Sequence, residues 1–181
     1  MANIAITGHT SGIGLGLLSK FQSESHTVIG FSRSNGHDLK NNDTIDNIIN
    51  SLETNEIDTI VINAHWRFSQ VNLLYRVADI WNNREDKTII TISSNSGDGK
   101  RNHAHQYAVE KTALDKASNQ IAGFHSARIL NVRPGYVDTP RVQGVKNQKI
   151  PVDRIADTIF WVWSMPRDCS ITELTILPRK D

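Results

Sequence analysis

The sequence predicts a doubly wound α/β domain: a parallel sheet with helices on both faces, a Rossmann-like three-layer arrangement that spans 1–181 as one unit. Three observations predict it. Short apolar runs rich in β-branched residues recur along the chain, and each is nearly continuous in apolar character, as strands buried on both faces are. Stretches of helical period separate these runs, and such alternation implies parallel strands joined by crossover helices. A glycine-rich segment directly follows the first run and opens a helical stretch, which is where a ligand-binding turn belongs in such a domain.

The elements follow in order. IAIT (4–7) is the first strand, and T-G-H-T-S-G-I-G leads from it into a helix over 13–22. TVIGF (27–31) is the second strand. The polar segment 34–42, rich in Gly, Asn, Ser and His, reads as a loop before a helix over 43–54. TIVIN (59–63) precedes a helix over 67–83, and TIITIS (88–93) precedes a second polar loop, 95–106, and a helix over 107–122. ARILNV (127–132) is the fifth strand. Pro151 introduces a helix over 152–164, whose Ile155, Ile159, Phe160, Val162 and Trp163 keep helical spacing, and LTIL (174–177) is a weaker last strand.

Composition narrows the function. With 20 basic and 19 acidic residues and a net charge of +1, the chain offers no single-sign field, which argues against nucleic acid and anionic membranes as partners. Cys169 is the single cysteine, so no internal disulfide forms, and the seven histidines lack H-E-x-x-H spacing, so no metal is expected. The first residues already read as a strand, and no apolar run approaches ~18 residues, so the expectation is a soluble, cytoplasmic protein.

Two motifs carry chemistry. Gly8, Gly12 and Gly14 are spaced for a tight turn that lets backbone approach a phosphate at a helix N-terminus, where free N–H groups point outward. Tyr107 and Lys111 stand four residues apart on a predicted helix and share a face. A phenol titrates near pH ~10, and a neighbouring ammonium favours its ionised form, so the pair suits proton transfer to or from a carbonyl oxygen. Ser94 ends the fourth strand thirteen residues before Tyr107.

Thr7-Gly8-x-x-x-Gly12-Ile13-Gly14, Asn63-Ala64, Tyr107-x-x-x-Lys111 and Pro134-Gly135-x-x-x-Thr139, in that order, resemble the short-chain dehydrogenase/reductase family along nearly the whole chain. The resemblance implies that Ser94 hydrogen-bonds a substrate carbonyl oxygen and that Tyr107 donates the proton. It further implies that Lys111 lowers the phenol pKa and holds the nicotinamide ribose, and that Asn72 anchors a water in the proton relay. Gly8, Thr10, Ser11, Gly12, Ile13 and Gly14 would hold the cofactor phosphates, Asp38 and Leu39 the adenine, and the backbone at Asn63 and Ala64 would pass close to the cofactor. Pro134, Gly135, Val137 and Thr139 would wrap the nicotinamide. Ser32 stands where NAD users tend to carry a carboxylate, and Arg33 follows, so the resemblance implies NADP(H) in preference to NAD(H).

The implied activity is NADPH-dependent reduction of a small-molecule carbonyl to an alcohol, or the reverse. The alternative is a sensor or scaffold that binds NADP(H) without turnover. A homodimer or homotetramer is expected through the helices 67–83 and 107–122, with Leu74, Val77, Trp81, Leu114 and Ile121 either lining that contact or packing internally. Three features depart from the family pattern: His65 replaces a glycine after Asn63-Ala64, Asp38 comes early after Arg33, and the segment between Thr139 and Pro151 is short. A short lid suggests an open pocket that admits bulky or polar substrates.

Overall fold

The computed structural model describes residues 1–99 and 102–179. Six runs become the strands β1 (Asn3–Thr7), β2 (Thr27–Phe31), β3 (Thr59–Ile62), β4 (Thr88–Ile92), β5 (Arg128–Pro134) and β6 (Glu173–Ile176). The helices are α1 (Gly12–Ser23), α2 (Asn42–Thr54), α3 (Ser69–Ile80), α4 (Gln106–Ala122) and α5 (Val152–Trp163). All strand pairs are parallel, in the order β2-β1-β3-β4-β5-β6.

Alternation along each strand divides the core into two layers. Ala5, Ile60, Ile62, Ile89 and Ile129 face α2, α3 and α4, whereas Ile4, Ile6, Val61, Ile90, Ile92, Leu130 and Val132 face α1 and α5. Both faces of the sheet are apolar because both are covered. One consequence of this layering is topological. The step from β1 to β2 and the step from β5 to β6 run toward opposite edges, yet α1 and α5 share a face, so the two crossovers have opposite hands. Right-handed connection is the rule for parallel strands, and the pair cannot both obey it.

Element boundaries fall close to the sequence reading except at α3. Arg67 has φ 47° and Asn83 has φ 65°, left-handed conformations that stop a helix on either side of Ser69–Ile80. Of the two places open to Leu74, Val77, Trp81, Leu114 and Ile121, the structure shows the internal one: all are buried in the layer beneath α2, α3 and α4 and pack within the chain. Among the described residues no helix is long and apolar enough to cross a membrane.

Candidate active site

The sheet winds from β1 toward one edge and from β3 toward the other, and crevices form at such points beyond the carboxyl ends of the strands. A cleft of about 1540 Å³ opens there. It is lined by Gly8, Thr10, Ser11, Gly12, Ile13, Ser32, Arg33, Asp38, Leu39, Asn63, Ala64, Ser94, Tyr107, Lys111, Pro134, Gly135, Val137 and Thr139. Two residues expected in the site are not on its wall: Gly14, which is buried beneath the glycine turn, and Asn72.

The turn between β1 and α1 is clipped to β3 by side chains. Asn63 donates its amide to the Thr7 and Gly8 carbonyls at 3.0 and 3.2 Å, and the Thr7 hydroxyl accepts the Asn63 and Ala64 backbone N–H groups at 2.9 and 3.0 Å. Gly8 and Gly12 have φ of 71° and 54°, which side chains other than glycine rarely adopt. A Cβ at Gly14 would lie 2.1 Å from the Gly8 carbonyl oxygen, so this position must be glycine for α1 to pack against the turn. The first turn of α1 contains no acidic residue, and its N-terminus faces the cleft through Gly12 and Ile13.

At the other end of the cleft Lys111 is only 3% exposed. Its ammonium donates to the Gln70 side-chain oxygen at 2.6 Å and to the Ile92 carbonyl at 2.8 Å, which leaves one of three donors for a ligand. Burial, helped by the charge of Arg141, lowers its pKa to about 7. Gln70 in turn donates to the Ile62 and Ile92 carbonyls at 2.8 and 3.1 Å and so ties the ends of β3 and β4 to the lysine. Asn72 is exposed on α3 and does not reach this point. The correction follows from helix geometry: residues two apart do not share a face, and Gln70 shares the buried face of Leu73, Leu74 and Val77. That apolar phase is the signal that could have found Gln70.

Tyr107 is half-buried, with its ring centroid 5.5 Å from the Lys111 nitrogen and 5.1 Å from Cζ of Arg141. Burial raises the phenol pKa above its ordinary value, against the lowering effects of Arg141 and of a hydrogen bond with Ser94. Lys111 is not the group that lowers it, because the ammonium is turned to Gln70 and Ile92. Ser94 also accepts the Ser96 N–H at 3.1 Å, which fixes the strand end, while the neighbouring Ser93 is buried and donates to the Lys111 carbonyl at 3.2 Å.

Three charged or titratable groups join this end that the motifs did not identify as participants. His65 meets Glu110 at 2.8 Å, and its ring stands edge-on to Tyr107 at 5.0 Å. Burial lowers the His65 pKa, with Lys111 and Arg141 adding to the effect, so the imidazole is neutral near pH 7. Glu110 is buried, and its second oxygen accepts from Gln106 at 2.7 Å. A glutamate on the buried face of α4, one residue before Lys111, was the visible sign of this pair. Arg141 lies in the 3₁₀ turn Pro140–Val142, directly after Thr139.

The remaining positions surround the far end and the lid. Ser32 is buried, pairs its hydroxyl with that of Ser34 at 2.8 Å, and opens the 3₁₀ turn Arg33–Asn35. Asp38 accepts the Lys40 backbone N–H at 3.1 Å and so turns the loop, while Leu39 packs against the core. Val137 bridges Ile150 in a way that uses the Tyr136 carbonyl and the Asp138 N–H; among the described residues its own N–H and carbonyl have no backbone partner.

No protein-family profile matches the chain, and no curated protein matches it. Solved structures do. 4-Hydroxyisoleucine dehydrogenase complexed with NADH is 20% identical with a TM-score of 0.80, over 98% of this chain and 97% of that one. The 3-alpha-hydroxysteroid dehydrogenase from Pseudomonas sp. B-0831, also complexed with NADH, is 18% identical with a TM-score of 0.81, over 97% and 95%. Serine dehydrogenase from Escherichia coli is 20% identical with a TM-score of 0.79, over 96% of each chain. At these identities the likeness establishes the fold. The expected preference for NADP(H) over NAD(H) is corrected, since the similar structures with a bound dinucleotide hold NADH more often than NADP. Arg33 lines the cleft at the end of β2 only as an exposed side chain, beside the paired Ser32 and Ser34 hydroxyls.

Proposed function

We propose that this protein is an NAD(H)-dependent oxidoreductase of the short-chain type that interconverts a small carbonyl compound and its alcohol, with Ser94, Tyr107 and Lys111 at the reacting centre. The observation that carries the reading is that these three line one cleft with the glycine turn, with Ser94 close enough to the Tyr107 phenol to act on its pKa. The names of the similar structures, 4-hydroxyisoleucine, 3-alpha-hydroxysteroid and serine dehydrogenases among them, support the same reaction class.

The residues fit a dinucleotide. Glycines at 8 and 12 leave the backbone of the turn open to a pyrophosphate, and a Cβ at Gly12 would approach the Thr139 side chain to 3.0 Å, where the chain crosses above the turn. The Ser32 and Ser34 hydroxyls suit the unphosphorylated adenosine ribose, Asp38 and Leu39 border the adenine end, and the unspent Val137 backbone groups suit a carboxamide. When bound, the nicotinamide supplies hydride chemistry.

The side chains supply the rest. In reduction Tyr107 gives its phenolic proton to the carbonyl oxygen, and Ser94 donates a hydrogen bond to that oxygen as negative charge develops on it. A phenol whose pKa is raised by burial remains protonated at neutral pH, which suits a proton donor. Lys111, with one donor left, holds a ribose hydroxyl, and Gln70 holds Lys111. Oxidation of NADH by a carbonyl panel tests this, with Tyr107→Phe beside the wild type. The variant is expected to lose at least ~100-fold in kcat. Equal turnover by the two proteins would defeat the mechanism, and binding of NADH without turnover by the wild type would favour a non-catalytic binding protein.

A further inference from the structure

The charges at the reacting end of the cleft do not balance. Arg141 is exposed, lines the cleft, and stands over the Tyr107 ring with its Cζ 5.1 Å from the centroid. It has no acidic partner among the described residues, whereas the other carboxylates nearby are engaged. Glu110 spends one oxygen on His65 and the other on Gln106, and Asp98 pairs with Arg133. Lys111, the second cation, meets only the neutral oxygens of Gln70 and Ile92. Arg141 therefore stands beside Tyr107 with no carboxylate of its own, and Lys111 adds a second positive charge only where it is protonated. The field of Arg141 is felt there, since it acts to lower the pKa values of Tyr107, Lys111 and His65.

We infer that the substrate is a carboxylic acid, an oxo acid in the direction of reduction and a hydroxy acid in the reverse, whose carboxylate pairs with the Arg141 guanidinium while its carbonyl meets Tyr107. The inference rests on the oxidoreductase reading and adds the substrate class to it. A guanidinium offers parallel donors that match a carboxylate, and contact with the Tyr107 ring restricts where that fork points. A neutral ketone would leave the excess positive charge uncompensated, and an ammonium-bearing substrate without a carboxylate would be repelled.

The test compares 2-oxo and 3-oxo acids with their methyl esters, each with NADH, for the wild type, Arg141→Gln and Arg141→Lys. The wild type is expected to prefer the acids, and Arg141→Gln to lower the acid-over-ester ratio of kcat/KM by about 10- to 100-fold, chiefly through KM, with Arg141→Lys between them. An unchanged ratio in Arg141→Gln overturns the inference, and so does a loss confined to the KM for NADH, which would assign Arg141 to the dinucleotide. Calorimetric titration of malonate into each protein with NADH present separates this inference from the reaction it rests on. Malonate binding that is lost in Arg141→Gln supports the carboxylate site even where no substrate turns over. Absence of malonate binding together with absence of acid turnover by the wild type overturns it.

Discussion

Lys111 holds its charge at a position that disfavours it. Two oxygens satisfy its ammonium, but neither is charged, and burial brings its pKa down to about 7 from 10.5. Between those two values the unfolded chain binds the proton and the folded chain does not, so without a ligand this residue makes stability rise with pH from about 7 to 10.5. Below about pH 7 both states are protonated, and the full cost of burying the charge remains. Urea unfolding of the ligand-free protein at pH 7 and pH 9 is expected to show this gain, up to ~1.4 kcal/mol per pH unit for one group. Lys111→Met is expected to remove that part of the pH dependence. An identical pH dependence in both proteins would show that the ammonium is not strained. Gln70 explains why the lysine stays in place: its amide accepts from the ammonium and donates to both strand ends, so no other side chain at that point on α3 would satisfy all three partners.

The elements that carry the site differ in how visible they are in the sequence. The N-terminus of α1 is the most legible, because turn, cradle and helix start all require glycine at fixed positions. Gly14→Ala would set a Cβ 2.1 Å from the Gly8 oxygen and 2.7 Å from the Asn63 amide nitrogen, a backbone clash that only movement of α1 relieves. The variant is expected to lose about 1–3 kcal/mol of stability and to weaken NADH binding at least ~10-fold, by calorimetry. Gly144→Ala, where an added Cβ meets nothing within 4 Å, is expected to stay within ~0.5 kcal/mol of the wild type. Equal effects at the two positions would refute the packing argument. Helix α3 was less legible. Its apolar stripe fixed that a helix lies there, but the left-handed residues Arg67 and Asn83 that end it carry no breaker signal of Gly or Pro type. The resemblance implies Asn72 despite its short distance from Asn63, whereas the phase of the stripe itself points to Gln70. Arg141 and the His65–Glu110 pair could not be placed from the sequence, because they meet only when the segment after β5, the end of β3 and α4 converge in space.

Across the whole molecule the cleft joins layers that otherwise touch only through the sheet. The glycine turn belongs to α1, which packs with α5 on one face, whereas Tyr107 and Lys111 belong to α4 on the other. The hand of the β5–α5–β6 crossover, opposite to that of β1–α1–β2, brings α5 beside α1, so the segment carrying Thr139 and Arg141 passes over the cleft on its way from β5 to that helix. A dinucleotide reaching from the glycine turn to Lys111 would therefore contact both layers and the crossing segment at once. Binding of this kind should stabilise the fold as a whole and not one element. Added at 100 times its dissociation constant, NADH is expected to raise the stability by about 2.7 kcal/mol, which for a chain of this size is a rise of roughly 5–10 °C in Tm. NADPH at the same concentration is expected to give a smaller rise, because the paired Ser32 and Ser34 hydroxyls at the end of β2 suit an unphosphorylated ribose. Thermal unfolding followed by a far-ultraviolet signal and by tryptophan fluorescence reads this directly, since the two probes should shift together. Trp81 lies in the layer of α4 and Trp163 packs against the layer of α1 and α5. Shifts that differ between the probes would mean that the ligand grips one layer alone, and a larger shift with NADPH would assign Arg33, which lines the cleft, to a 2′-phosphate.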